Sequence, residues 1–324
     1  MVHLDLGEFV NFEEYIFDEE LSIPGIVDDH TLLGIRVALA HRAREGTDGS
    51  KVEEMSLAYS AGDPRVRRHA ERLIALADAP KICLDVCFTA VERLSKRWNW
   101  KVDLPPAARH LQIRSVDFLE PTPTIAGPGA ADLRKLYLQE VTLRDCPRLP
   151  SLRSLSLDEV TVTTAFTPGA SCPLIEHLAI WDSTIKHPCV DIRLPHLKSL
   201  VMYDVAIPLS GDFLAPYGHV TVDAPELEVL EVNCSTGCTV EYKSFTLRAP
   251  ALRYLRWLEQ FVERVRIDVG KPGSVAGGRI QFTSNGLLEE MRYREMKEYR
   301  AQMIQMLHGL LPHLPPETVA DTAR

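Results

Sequence analysis

The sequence predicts an α/β repeat protein built on a parallel sheet, and three observations predict it: a recurring phrase, the step at which it recurs, and a proline ahead of it. Leu133-Arg134-Lys135-Leu136-Tyr137-Leu138 is followed by Leu152-Arg153-Ser154-Leu155-Ser156-Leu157 and Ile175-Glu176-His177-Leu178-Ala179-Ile180. Leu197 to Met202, Leu227 to Val232 and Leu252 to Trp257 carry the same apolar-x-x-Leu-x-apolar form. The central leucines stand at 136, 155, 178, 200, 230 and 255, in steps of 19, 23, 22, 30 and 25. The mean of these steps falls in the roughly 20–29-residue range of leucine-rich repeats. Pro150, Pro173, Pro195, Pro225 and Pro250 each lie two residues before the first apolar position. Proline suits the start of a strand because it fixes φ and has no N–H for a ladder.

Side chains alternate between the faces of a strand, so each Leu-x-apolar core sends two residues inward and the one between them outward. One such strand cannot bury its apolar face, whereas stacked copies share a core. The expected fold is therefore a leucine-rich-repeat solenoid with a parallel concave sheet, short convex helices or loops, and a C-terminal capping helix.

Taken in order, residues 1–29 form an acidic N-terminal segment, read as a solvated end. Residues 30–50 hold an N-terminal capping helix, with Asp28 and Asp29 as N-cap residues and an apolar stripe of Leu32, Leu33, Ile35, Val37 and Leu39. Residues 51–260 are the repeats. Val52, Met55 and Leu57 read as the first strand, and Asp63 with Pro64 starts a helix running to about Ala77. Ile82, Leu84 and Val86 form the next strand, and Leu111-Gln112-Ile113 a shortened phrase. Connectors such as Thr161 to Cys172 leave room for loops or single turns. Residues 261–324 are read as a C-terminal hairpin and capping helix. Val265, Ile267 and Val269 alternate, Gly270 to Gly278 turns, and Ile280 with Phe282 alternates again. A helix with Leu288, Met291, Tyr299, Met303, Met306 and Leu310 then ends at Pro312.

Composition narrows the function. Of 45 acids and 36 bases, nine acids and no base fall in residues 1–29, so 36 acids face 36 bases in the remainder. That balance and the lack of a basic face with interleaved aromatics argue against nucleic-acid binding. No apolar run approaches the roughly 18 residues of a membrane span, and no basic-then-apolar order marks a secretory signal. Seven cysteines without a CxxC pair point to reduced thiols and a cytoplasmic or nuclear location. Cys83 with Cys87, and Cys234 with Cys238, lack a histidine at ligand spacing. No metal or cofactor is expected, since GxSxG, HExxH and GxGxxG are all missing, and Gly270-Lys271-Pro272-Gly273-Ser274 lacks the order of a phosphate loop. The chain reads as a non-enzyme.

The outward positions are the candidate site. One column holds Gln139, Asp158, Trp181, Tyr203, Asn233 and Leu258, and its neighbour Tyr137, Ser156, Ala179, Val201, Glu231 and Arg256. Aromatic side chains flanked by polar ones are common anchors of protein interfaces. Tyr137, Gln139, Asp158, Trp181, Tyr203, Glu231, Asn233 and Arg256 are therefore the expected contacts for a protein partner.

Cys172-Pro173-Leu174-Ile175-Glu176-His177-Leu178 and Ala224-Pro225-Glu226-Leu227-Glu228-Val229-Leu230 resemble phrases of plant F-box proteins with leucine-rich repeats. The segments Arg264 to Ser274 and Gly309 to Glu317 are similar to the end of the grass-type members. The resemblance spans about residues 51–320. It implies a substrate-recognition module of a Skp-cullin-F-box ubiquitin ligase, in which an N-terminal F-box binds a Skp-type adaptor. Here Leu94-Ser95-Lys96-Arg97-Trp98 imitates the close of an F-box, but no Leu-Pro start precedes it at a suitable distance. No F-box is thus recognisable, and adaptor binding does not follow from the resemblance. The alternative is a free-standing repeat scaffold with no ubiquitin role.

Overall fold

The computed structural model describes residues 2–5, 52–60, 64–87, 100–115, 120–121, 123–207, 218–234, 241–271 and 274–281, with 304 and 308. It comprises two compact units, Met1–Val141 and Thr142–Arg324. The expected helix within 30–50 lies outside the described residues. So does all of the expected C-terminal helix except residues 304 and 308.

The first unit contains β1 (Val2–Asp5), β2 (Val52–Ser60), helix α1 (Pro64–Ala77), β3 (Lys81–Cys87), β4 (Lys101–Asp103), β5 (His110–Ser115), β6 (Glu120–Pro121), β7 (Thr124–Ala126) and β8 (Lys135–Gln139). Strands β1, β2, β3, β5 and β8 pair in that order, all parallel. Met55 and Leu57, Ile82, Leu84 and Val86, Leu111 and Ile113, and Leu136 and Leu138 are among the buried residues of these strands. The predicted strands and helix in this stretch therefore appear where their apolar spacing placed them. Ala70, Leu73, Ile74 and Ala77 recur at the helical period and are the buried stripe of α1, which packs on β2. Val2–Asp5 pairs with β2 although it belongs to the segment read as a solvated end.

The second unit contains β10 (Ser154–Asp158), β11 (Thr161–Val162), β12 (His177–Trp181), β13 (Thr184–Ile185), β14 (Cys189–Arg193), β15 (Ser199–Tyr203), β16 (Gly218–Asp223), β17 (Val229–Asn233), β18 (Glu241–Arg248), β19 (Tyr254–Leu258), β20 (Phe261–Asp268) and β21 (Gly277–Gln281). Its front sheet runs β10, β12, β15, β17, β19, β21, parallel throughout. A second parallel sheet runs β14, β16, β18, β20. Thr142 and Leu143 of β9 (Val141–Leu143) pair with β11, and β11 with β13, in a small parallel ladder.

Whereas the connector Thr161 to Cys172 holds a single 3₁₀ turn, Pro168–Ala170, from β14 onward this second sheet takes the place of the loops and helices expected on this side. Its strands follow a period of two: Val190 and Ile192, Val220 and Val222, Phe245 and Leu247 are buried, and their neighbours face out. The core lies between the sheets. Phe245 of β18 meets Trp257 of β19 edge to face, with ring centroids 5.0 Å apart and planes at 83°. Both large polar rings are satisfied inside: Trp257 Nε1 donates to the Gln260 carbonyl at 2.8 Å, and Tyr242 Oη to the Val205 carbonyl at 2.7 Å.

The chain turns into each front strand at a proline, arriving from the back sheet at Pro195, Pro225 and Pro250 and from the small ladder at Pro150. The N–H of Leu152, Leu197, Leu227 and Leu252 donates to the carbonyl three residues earlier, at Leu149, Leu194, Ala224 and Ala249, over 3.1–3.2 Å. Pro150, Pro195, Pro225 and Pro250 thus occupy the second position of a four-residue turn, where a fixed φ near −65° is favoured. The proline marks the turn before the strand rather than the strand's first residue.

The expected hairpin is not formed. β20 pairs parallel with β18 in the back sheet, and β21 pairs parallel with β19 in the front sheet. The glycine-rich stretch is therefore the last back-to-front crossing among the described residues, opened by Gly270 at φ +77°, a region L side chains rarely adopt. The alternation was sound, but each strand finds its partner in the preceding repeat, so two consecutive strands need not pair. The front sheet accordingly extends past residue 260 to Gln281.

Leu200 sits at the middle of the front sheet with no exposed surface. Leu200→Ala is expected to lower unfolding stability by about 2–5 kcal/mol. A shift of the denaturant midpoint at unchanged slope checks it.

Candidate functional site

The outward face of the front sheet is fixed by backbone register. Asp158 pairs with Trp181, Trp181 with Tyr203, Tyr203 with Asn233 and Asn233 with Leu258. In the neighbouring column Ser156, Ala179, Val201, Glu231 and Arg256 follow in the same register. Asp158, Trp181, Tyr203 and Asn233 are half-buried rather than fully exposed. Leu258 is buried at 8% exposure, so the outward column is interrupted at β19, and β21 continues it with half-buried Gln281 in register beside Leu258. Glu231 and Arg256 pair with each other at 3.1 Å.

Tyr137 and Gln139 belong to the first unit. They lie two residues apart on β8, and Tyr137 Oη donates to Gln139 Oε1 at 3.2 Å. Tyr137 is in register with Gln112 and Gln139 with Arg114.

Two features of the face have a plain sequence signal that the repeat reading passes over. An acid follows the last outward residue in Asp158-Glu159, Trp181-Asp182, Tyr203-Asp204 and Leu258-Glu259, and all four acids have positive φ, from 46° to 54°. Such a left-handed residue costs about 1–2 kcal/mol in a non-glycine, less for Asp, whose short side chain tolerates it. It turns the chain out of the front strand and keeps its N–H in the ladder. Glu159 donates to the Trp181 carbonyl at 3.0 Å, Asp182 to Tyr203 at 2.9 Å, and Asp204 to Asn233 at 2.9 Å. Buried Ser183 adds a tie: its hydroxyl donates to the Trp181 carbonyl at 2.6 Å and accepts the Val160 N–H at 3.0 Å.

The second feature lies at the other end of the strands. Arg153, Glu176, Lys198, Glu228 and Arg253 occupy one repeat position with alternating charge. Their backbones share a ladder in which the Arg153 carbonyl accepts from Glu176 and His177, the Glu176 carbonyl from Lys198 and Ser199, and so on to Arg253. Glu176 bridges Lys198, at 2.9 Å, and Arg153. The Lys198 ammonium first, and then the Arg153 guanidinium, hold its carboxyl below the ordinary value.

Burial, as the largest cause, pushes the Cys83 thiol up to about 11, Cys146 to about 12 and Cys172 to about 11. These thiols stay protonated near neutral pH and are poor nucleophiles there. Among the described residues no group of three or more His, Cys, Asp or Glu side chains could hold a metal ion. No helix among them is long and apolar enough to cross a membrane.

Parallel strands repeating every 22 to 30 residues, with leucine columns inside and a mixed aromatic and polar column outside, define a leucine-rich-repeat protein. A family model described as FBD-associated F-box protein At5g56370, LRR repeats, matches residues 99–272, more than half of the chain, and the chain belongs to that family. No curated protein and no solved structure matches it.

A carboxyl held below its usual value contributes stability above the unfolded-state value, about 4.3, and loses it as pH falls through the folded one. Glu176→Gln should therefore remove part of the stability at pH 7, by no more than about 1 kcal/mol for partners this exposed, and change little at pH 3. Denaturant midpoints at the two pH values check the difference.

Proposed function

We propose that the chain is a non-catalytic protein-binding module that recognises a partner on the outward face of its front sheet. The observation that carries this is the register line Asp158, Trp181, Tyr203 and Asn233 on four adjacent strands. Aromatic anchors surrounded by hydrogen-bonding groups, held by a rigid ladder, bind at low conformational cost. Glu231 and Arg256 extend the face on one side, and Tyr137 and Gln139 offer outward groups on the first unit's sheet. In the setting of F-box-associated repeats, the partner is a substrate that this module presents to a Skp-cullin-F-box ubiquitin ligase. The chain then works in the cytoplasm or nucleus, where its thiols remain reduced.

A second reading keeps the binding face and drops the ligase, making the chain a free-standing scaffold. It is favoured by Leu94-Ser95-Lys96-Arg97-Trp98, which imitates only the close of an F-box. Calorimetry of the purified chain with a plant Skp-type adaptor separates the two. Micromolar or tighter binding supports the ligase receptor, and the absence of binding supports the scaffold.

Trp181→Ala with Tyr203→Ala should weaken capture of the partner by about tenfold or more, since each ring supplies hot-spot contact, and leave the thermal melt nearly unchanged. Normal capture by a folded double variant, in a pull-down scored by mass spectrometry, would contradict the assignment of the face.

A further inference from the structure

The surroundings of Trp181 and Tyr203 are more specific than a general binding face requires. Asp158 stands in register beside Trp181, Glu159 follows Asp158, and Asp182 and Asp204 directly follow the two rings at φ 46° and 48°. Four carboxylates thus flank two half-buried aromatic side chains across three adjacent strands, a width of roughly 10 Å. The remaining outward positions of those strands are Ser154, Ser156, His177, Ala179, Ser199 and Val201, with no lysine or arginine. Arg153 and Lys198 lie at the opposite end of the strands, five residues of extended chain away, where Glu176 holds both. The outward arginines of the described front sheet, Arg256 and Arg279, stand on β19 and β21, and Arg256 pairs with Glu231. The crowding leaves a mark on Asp182. Burial first, and then the negative charges of Asp204 and Asp158, push its carboxyl above the ordinary value.

We infer that this patch of β10, β12 and β15 docks a lysine- or arginine-bearing segment of a partner protein, with the cation over the Trp181 or Tyr203 ring and among the carboxylates. The inference rests on the outward face being the protein-binding face. A cation over an aromatic ring gains attraction from the ring's negative face, and opposite charge across the contact sets partner choice and encounter rate. A nucleic acid is the wrong partner for the same patch, because its phosphates meet carboxylates of like sign. The left-handed turns serve the docking directly. They keep Asp182 and Asp204 beside the rings instead of letting the chain continue along the sheet.

The test uses the full chain and three synthetic dodecapeptides, repeats of Lys-Ser-Leu, Gln-Ser-Leu and Glu-Ser-Leu, with binding followed by calorimetry. The lysine peptide should bind about tenfold or more tighter than the other two and weaken between about 50 and about 300 mM salt. Asp158→Asn with Asp182→Asn and Asp204→Asn should abolish that preference, because asparagine accepts positive φ as well as aspartate does and removes only charge. If the triple variant melts early, Asp158→Asn alone and the salt titration of the wild type carry the same test. Equal affinity for the lysine and glutamine peptides, no binding of any peptide, or full preference in a folded triple variant would each overturn the inference. If the preference is lacking but Trp181→Ala with Tyr203→Ala still abolishes partner capture, only the charge inference fails. If that double variant captures normally, the reading of the face fails with it. A dimer in sedimentation that the aromatic double variant dissolves would assign the patch to a second copy of the chain and overturn the inference.

Discussion

Backbone register between successive repeats is the constraint on which the second unit depends. At the start of each front strand one carbonyl accepts from two consecutive N–H groups of the next repeat, from Arg153 through Glu176, Lys198 and Glu228 to Arg253. At the end, the N–H of the residue after the strand, left-handed in four cases and Cys234 after β17, returns a bond to the outward residue of the next strand. Each strand is thus pinned at both ends. A slip of one residue would turn Leu178 and Ile180 to solvent and Trp181 into the core, reversing every side chain of the repeat. The same register that buries the leucine columns therefore composes the outward face, and the face cannot be rearranged without dismantling the core.

The front strands were legible because one physical rule wrote them. A half-buried parallel strand must alternate, and the alternation recurs at every repeat, so Leu155, Leu178, Leu200, Leu230 and Leu255 name their own places. The register of Asp158, Trp181, Tyr203 and Asn233 followed by counting. The back sheet was equally written, in Val190 and Ile192 or Val220 and Val222, each two-residue alternation ending at an apolar residue before the proline. It is harder to read because its strands are split by connectors of unequal length, and because alternation says that a strand exists but not which neighbour it joins. That ambiguity also turned the last crossing, Gly270 to Gly278, into an expected hairpin.

The candidate site was half legible for a related reason. Which residues point outward is a matter of period, so Trp181 and Tyr203 could be read directly. How exposed they are depends on neighbours in space, and Leu258 shows the difference, outward by count and buried in fact. The acids after the rings were visible as letters, but only backbone geometry reveals that they sit at positive φ. Five of the described repeats accept that strain at one position, counting Glu140 in the first unit. Glycine would relieve it, so a charged residue there exchanges a little stability for a carboxylate at the edge of the face.

The central claim is the register itself, and an engineered metal bridge measures it most directly. Ala179 and Val201 are paired outward positions on β12 and β15, so Ala179→His with Val201→His should place two imidazoles side by side. Zinc at a hundredfold excess over its dissociation constant should then stabilise the double variant by about 2.7 kcal/mol, raising its melt by several degrees. Ser156→His with Val201→His, two strands apart, should not respond. A zinc effect confined to the paired variant is the predicted result. No zinc effect on that variant, or an equal effect on the distant pair, would contradict the register and with it the composition of the face.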